Sequence, residues 1–129
     1  MKKTAITLAF ALAATSALAQ PAPLSADKAE LRDLFREMIE TDTSITTGSC
    51  TLAAERVVAR MKAAGFKDDQ LTLFVDPAHP KEGGLVAVLP GSSKTLKPLL
   101  LLAHIDVVAA KRADWERDPY QLIEEDGYF

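Results

Sequence analysis

The 129-residue sequence predicts an α/β fold, with helices packed on a mixed sheet. Two observations support this class: apolar residues recur at helical spacing in two segments, and the spacing becomes strand-like after Gly65. The composition agrees, because 48% hydrophobic and 26% charged residues are typical of a globular domain. Only 6 glycines and 1 cysteine exclude collagen-like and disulfide-rich classes. A net charge of −3 offers no basic surface, so we expect no nucleic-acid partner.

Two amphipathic helices are predicted in the first half of the chain. Ser25 or Asp27 can cap the first helix. Its apolar stripe has the spacing i, i+3, i+4, i+7 and i+8, and consists of Leu31, Leu34, Phe35, Met38 and Ile39. The charged residues on the opposite face are expected to be solvated. A polar loop over residues 41–49 follows, and the second helix begins near Ser49 or Thr51 and ends at a glycine cap.

Strand patterns follow Gly65. Residues 71–75 alternate as in a strand, residues 76–84 have the composition of a turn, and residues 85–89 predict a second strand. Residues 99–103 are apolar at every position. That pattern is typical of a central strand buried on both faces of an α/β sheet.

Residues 1–19 match a secretory signal peptide, with two lysines, an apolar core over residues 5–14, and small residues at Ala17 and Ala19. The apolar core is shorter than the roughly 20 residues of a spanning helix, so we expect no stable membrane span after cleavage. Cleavage after Ala19 would start the mature chain at Gln20. Loss of the two lysines changes the net charge from −3 to −5. The protein is therefore expected to be secreted or periplasmic.

Two further residues are predicted to be structural. Cys50 is the single cysteine, so the chain contains no internal disulfide, and we expect burial of its thiol near a helix start. His79 lies between alanine and proline in turn-like sequence, which favours an exposed loop histidine over a metal ligand.

His104 and Asp106 are the candidate functional residues. They directly follow the apolar run, and ligands of open α/β sheets bind beyond the carboxyl ends of strands. A neutral imidazole is a common zinc ligand. In extended chain Asp106 points to the same side as His104 and could orient its ring. Alone, a His-x-Asp pattern is a weak signal that also fits a purely structural pair.

The longer segment resembles the M20 family of zinc metallopeptidases and amidases, the carboxypeptidase, aminoacylase and dipeptidase group. The resemblance rests on the hydrophobic residues 99–103, His104-x-Asp106 followed by two valines, Trp115, and Asp-Pro-aromatic at residues 118–120. Both the order and the spacing of these residues match the family pattern, which makes the resemblance specific. The two helices and the loop between them also occur in the family's order.

This resemblance implies that residues 20–129 are the N-terminal portion of the M20 catalytic domain, truncated before the rest of the active site. His104 would be a ligand of one of two zinc ions, and Asp106 the catalytic-site aspartate that supports it. A bridging aspartate and a general-base glutamate would lie further along. The chemistry would be hydrolysis of a peptide or N-acyl-amino-acid amide by metal-activated water. Family members also form homodimers through an inserted domain, so the resemblance is compatible with a homodimer of the complete protein.

The chain holds one expected metal ligand, so these 129 residues alone are predicted to be inactive. Three nearby acidic residues, Glu124, Glu125 and Asp126, match no ligand motif of the family. The alternative function is a truncated, non-catalytic or binding module that keeps the scaffold without the metal site. A third interpretation is an unrelated domain in which His104 and Asp106 form a structural pair. Trp115 and Tyr120 are expected to pack the loop after His104 over the domain.

Overall fold

A computed structural model describes residues 24–129, so the predicted signal peptide lies outside the described residues. The elements in order are α1 (Ala26–Ile39), α2 (Cys50–Ala63), a 3-10 turn (Asp68–Gln70), β1 (Leu71–Asp76), β2 (His79–Ala87) and a second 3-10 turn (Arg112–Asp114). The two strands pair antiparallel. Two helices with this sheet are compatible with part of an α/β fold. Within residues 24–129, no helix has the length and hydrophobicity required to cross a bilayer.

Helix α2 begins and ends where the sequence predicts. Ser49 is extended, and its hydroxyl accepts a hydrogen bond from the Leu52 amide at 3.1 Å. At the other end Gly65 has φ +97°, a conformation that favours glycine. The Gly65 amide donates to the Lys62 carbonyl, and the Phe66 amide donates to the Met61 carbonyl, each at 3.0 Å. These two bonds form a complete Schellman motif and satisfy carbonyls that the helix end leaves free.

Helix α1 begins after Ser25 as predicted, although the Ser25 side chain makes no capping hydrogen bond. None of its residues is fully buried, and Leu31 of the apolar stripe is 64% exposed. The Phe35 ring packs edge-on against Phe129, with ring centroids 5.5 Å apart. The stripe is therefore only partly covered among the described residues.

The charged face of α1 binds the C-terminal segment. Arg36 Nη1 donates to the Leu122 carbonyl at 3.3 Å, and Glu40 Oε1 accepts from the Leu122 amide at 3.2 Å. Arg32 forms an ion pair with Glu124. The expectation of a purely solvated charged face is therefore wrong in part, because long charged side chains bind backbone groups as well as water.

The β1–β2 hairpin confirms the predicted strand over residues 71–75 and corrects the boundaries of the next one. Strand β2 begins at His79 and ends at Ala87, so residues 79–84 belong to the strand and not to the turn. The Asp76 carboxylate accepts from the Ala78 amide at 2.9 Å, which closes a two-residue turn. An irregularity between Phe74 and Asp76 adjusts the pairing.

The predicted central strand over residues 99–103 is not formed. These residues are irregular, and the leucines at 99 and 102 are 84% and 90% exposed. A strand needs a neighbour for its amides and carbonyls. Within residues 24–129 the sheet ends at β1 and β2, and the apolar run reaches neither strand's ladder. Residues 99–103 therefore have the composition of a strand but lack a pairing partner among the described residues.

The buried residues lie mainly around α2 and the loop before it. The apolar ones are Ala53, Ala54 and Leu122, and the polar ones are Thr41, Thr43 and Ser44. Residues 41–49 lack helix, as predicted, but several of their side chains are more buried than those of α1. This loop positions the candidate site.

Candidate functional site

His104 and Asp106 contact each other, as their spacing predicts. His104 Nδ1 lies 3.2 Å from Asp106 Oδ1 and 3.3 Å from the Asp106 carbonyl oxygen. Both side chains are open to solvent, with exposed fractions of 86% and 73%. A carboxylate at Nδ1 favours the tautomer with its proton there and leaves Nε2 as an electron-pair donor. The pair therefore has the arrangement of an imidazole ligand oriented by a carboxylate.

The buried loop anchors the segment that carries this pair. Thr43 Oγ1 donates a hydrogen bond of 2.7 Å to the carbonyl of Ile105, the residue between His104 and Asp106. Beside this contact, Ser44 forms an isolated parallel β-bridge with Val107, the residue after Asp106. Thr43 and Ser44 are 4% and 1% exposed, so the attachment is made from the interior of the domain.

The loop is itself held by hydrogen bonds to Asp42. The Asp42 carboxylate accepts from the Ser44 amide at 2.8 Å and from the Thr47 hydroxyl at 2.5 Å. Burial raises the pKa of Asp42, but hydrogen bonds from Thr47, Ser44 and Tyr120 outweigh it and hold that pKa below its ordinary value. Gly48 lies so close that an added Cβ would be 2.4 Å from the Asp42 carbonyl oxygen. The loop conformation is thus specified by both polar contacts and close packing.

Tyr120 contacts the chain after the site. Its hydroxyl accepts from the Ala110 amide at 3.4 Å and contributes to the lowered pKa of Asp42 in the loop. The expectation that Tyr120 packs the loop after His104 is confirmed. Trp115, for which the same role was expected, is 54% exposed.

His104 and Asp106 line an open groove of about 1540 Å³ between residues 101–109 and the α2–β2 layer. Cys50 lines its floor, half-buried, and its thiol donates to the Thr43 carbonyl at 3.6 Å. Burial raises the Cys50 pKa above its ordinary value, and the negative charges of Asp106 and Glu82 raise it further. Cys50 therefore lies within electrostatic reach of Asp106.

His79 lies on the rim of the groove and is engaged locally. Its Nδ1 is 2.8 Å from Asp76 Oδ2, and both side chains are more than half exposed. This contact, with the Ala78 amide, lowers the pKa of Asp76. The exposed histidine agrees with prediction, although it begins a strand and does not lie in a loop.

The donor chemistry of His104 and Asp106 suits zinc, which binds imidazole and carboxylate. A catalytic zinc site uses three protein ligands, and residues 24–129 bring together no group of three His, Cys, Asp or Glu side chains. The pair thus fits one ligand with its orienting carboxylate, not a whole ligand set. Glu124 and Glu125 form ion pairs with Arg32 and Arg117.

Sequence similarity to known proteins supports the resemblance to the M20 family. The chain is 36% identical over 74 residues to acetylornithine deacetylase of Dictyostelium discoideum. It is 38% identical over 56 residues to N-fatty-acyl-amino acid synthase/hydrolase PM20D1 of Homo sapiens, and 53% identical over 38 residues to the Xenopus tropicalis protein of that name. These relatives are M20 family members, so the resemblance predicted from the sequence is confirmed.

The similarity is partial in length. The match to the Dictyostelium protein covers 54% of this chain and 17% of that protein, and the human match covers 43% and 11%. The chain thus matches less than a fifth of the length of these curated relatives. No protein-family model matches the chain, and no solved structure matches it.

Proposed function

We propose that this chain is the N-terminal portion of the catalytic domain of an exported, zinc-dependent M20-type amide hydrolase. The relatives are named as a deacetylase and as an N-fatty-acyl-amino acid synthase/hydrolase, and both names support hydrolysis of an amide in an acylated amino acid. The observation that carries the proposal is the contact between His104 and Asp106 beside an open groove. Substrates are peptides or N-acyl amino acids.

Within this site the two residues have different roles. His104 would hold zinc through Nε2, the ring nitrogen that does not contact Asp106, and Asp106 would keep the ring in that orientation. Bound zinc would lower the pKa of a water molecule and polarise the substrate carbonyl. Two ions are expected in the complete enzyme, and their other ligands and the general base come from outside residues 24–129.

The test uses the intact protein made from its complete coding sequence. Zinc content is measured by mass spectrometry, and hydrolysis is measured with N-acetyl and N-fatty-acyl amino acids. We expect His104→Ala to lower zinc content and abolish hydrolysis. Asp106→Ala should keep most of the metal but reduce turnover about 10–100-fold, the usual effect of losing a group that orients a ligand.

His79→Ala is the matched control, because His79 is the other of the 2 histidines and contacts Asp76 in an analogous way. It should leave zinc content and turnover unchanged. Full zinc content in His104→Ala would contradict the ligand role, and unchanged turnover in Asp106→Ala would contradict the orienting role. An intact protein without stoichiometric zinc would favour the structural pair. Zinc binding without hydrolysis would favour a binding module.

A further inference from the structure

We propose that Thr43 is a positioning residue for the His104–Asp106 pair. Its hydroxyl holds the Ile105 carbonyl and thereby sets the orientation in which the two flanking side chains meet. The inference rests on the proposed function and adds to that site a residue from a distant loop. Thr43 itself touches no reacting group in this proposal.

The hydrogen bond from Thr43 reaches the backbone between the two residues of the pair. Ile105 lies between His104 and Asp106, and its carbonyl belongs to the peptide that joins it to Asp106. Thr43 Oγ1 lies 2.7 Å from that carbonyl oxygen, a short and well-formed bond. Restricting this peptide limits how far the imidazole and the carboxylate can move relative to each other.

Few other contacts hold the His104–Asp106 pair in the part of the chain that the structure describes. His104 and Asp106 are largely exposed, and the side-chain contact found for His104 is to Asp106 itself. Among the described residues, the side-chain hydrogen bond reaching residues 104–106 from another element is the one from Thr43, and the Ser44–Val107 bridge holds the residue that follows Asp106. Packing alone therefore does little to order the pair.

The loop that carries Thr43 is held by several contacts. Thr43 is 4% exposed, and its carbonyl accepts from the Cys50 thiol at the start of α2. The neighbouring Asp42 carboxylate binds Ser44 and Thr47. A buried hydroxyl on a loop with this many contacts can transmit position, since the loop does not readily follow movements of an exposed segment.

Thr43→Val tests the proposal, because it removes the hydroxyl and keeps the branched shape. We expect zinc affinity of the intact protein, measured by titration, to fall by up to about 10-fold, the lower end of the range for groups that orient a ligand, because Thr43 acts on His104 indirectly. Thr43→Ser retains a hydroxyl and should restore most of the affinity. Thr46→Val is the matched control, because Thr46 is an exposed threonine of the same loop, and it should bind zinc normally.

A second readout needs neither metal nor activity. In metal-free protein at fixed pH, Thr43→Val should move the imidazole NMR signals of His104 and leave those of His79 unchanged. Should Thr43→Val not fold, Thr43→Ala replaces it with the same expected outcomes. It removes the hydroxyl without placing a methyl group against the Ile105 carbonyl.

Unchanged His104 signals in Thr43→Val would overturn the positioning role, as would unchanged zinc affinity. A Thr43→Ser variant as impaired as Thr43→Val would also overturn it, because the hydroxyl would then not be the cause. Absence of zinc from the wild-type protein would instead contradict the proposed function. In that case, the metal-free NMR comparison alone would decide whether Thr43 positions His104.

Discussion

Cys50 provides a chemical reporter for the placement of Asp106. The two side chains line the same groove, and the charge of Asp106 contributes to the raised pKa of the thiol. A raised pKa means that less of Cys50 is thiolate at a pH near the usual thiol pKa of about 8.5. Since the thiolate is the nucleophile, the charge on Asp106 slows alkylation of Cys50.

We therefore expect iodoacetamide at pH 8 to alkylate Cys50 more slowly in the folded, metal-free protein than in urea. Asp106→Asn should accelerate the folded-state reaction, because it removes a negative charge that disfavours the thiolate. Asp69→Asn is the control, since Asp69 does not contribute to the Cys50 shift. Equal rates for wild type and Asp106→Asn would show that Asp106 does not act on Cys50.

The motif residues could be predicted from sequence at the residue scale, whereas Thr43 could not. His104 and Asp106 are two positions apart, so local geometry alone brings them together. Thr43 meets Ile105 across 62 positions. The available signal was the richness of residues 41–49 in serine and threonine, which predicts a loop but not its partner.

At the scale of elements, helix ends follow local chemistry closely. Ser49 and Gly65 supply the side-chain cap and the positive φ that the ends of α2 require. Asp126 and Gly127 similarly have φ of 52° and 81° in a two-residue turn. The turn is closed by paired backbone bonds between Glu125 and Tyr128. Asp-Gly is a strong signal for such a turn, and it was available in the sequence.

Capping gives a prediction at this scale. Ser49→Ala should lower the free energy of unfolding of the intact protein by about 1 kcal/mol, because the Leu52 amide loses its acceptor. Urea denaturation followed by circular dichroism measures the change. Ser25→Ala is the comparison, since the Ser25 side chain caps nothing, and its effect should be smaller. Equal losses in the two variants would count against the Ser49 cap.

The sequence predicts strand boundaries less accurately than helix ends, because a strand also depends on a pairing partner. The composition of residues 79–84 is typical of a turn, yet β1 provides a partner and the segment becomes strand. Residues 99–103 have strand composition, yet no neighbouring strand pairs with them among the described residues. Strand formation depends on a partner's hydrogen-bonding groups, which lie elsewhere in the chain.

In the molecule as a whole, polar contacts connect α1 to distant segments of the described chain. Arg36 and Glu40 hold the backbone of Leu122, and Glu37 forms an ion pair with Arg60 of α2. A partly exposed ion pair such as Glu37–Arg60 contributes little to stability, typically about 0–1 kcal/mol. The Arg36 and Glu40 hydrogen bonds specify where the C-terminal segment lies on α1.

Export is a prediction about the whole molecule. If residues 1–19 are a cleaved signal peptide, the protein recovered from the periplasm or the medium begins at Gln20. Intact-mass and N-terminal peptide analysis measure this directly. Replacing Ala17 and Ala19 by larger residues should block processing and leave the longer form. A protein that keeps Met1 and remains in the cytoplasm would contradict the proposed localisation.

Features that depend on neighbours in the chain follow from the residues alone. These are the ends of α2, the contact between His104 and Asp106, and the motif that resembles the M20 family. Two features became visible only in the folded chain: Thr43 holds the Ile105 carbonyl between those two residues, and the apolar residues 99–103 stay outside the sheet. Capping and side-chain periodicity act over a few residues. Hydrogen bonds between distant segments depend on how the whole chain packs, and they leave no local pattern.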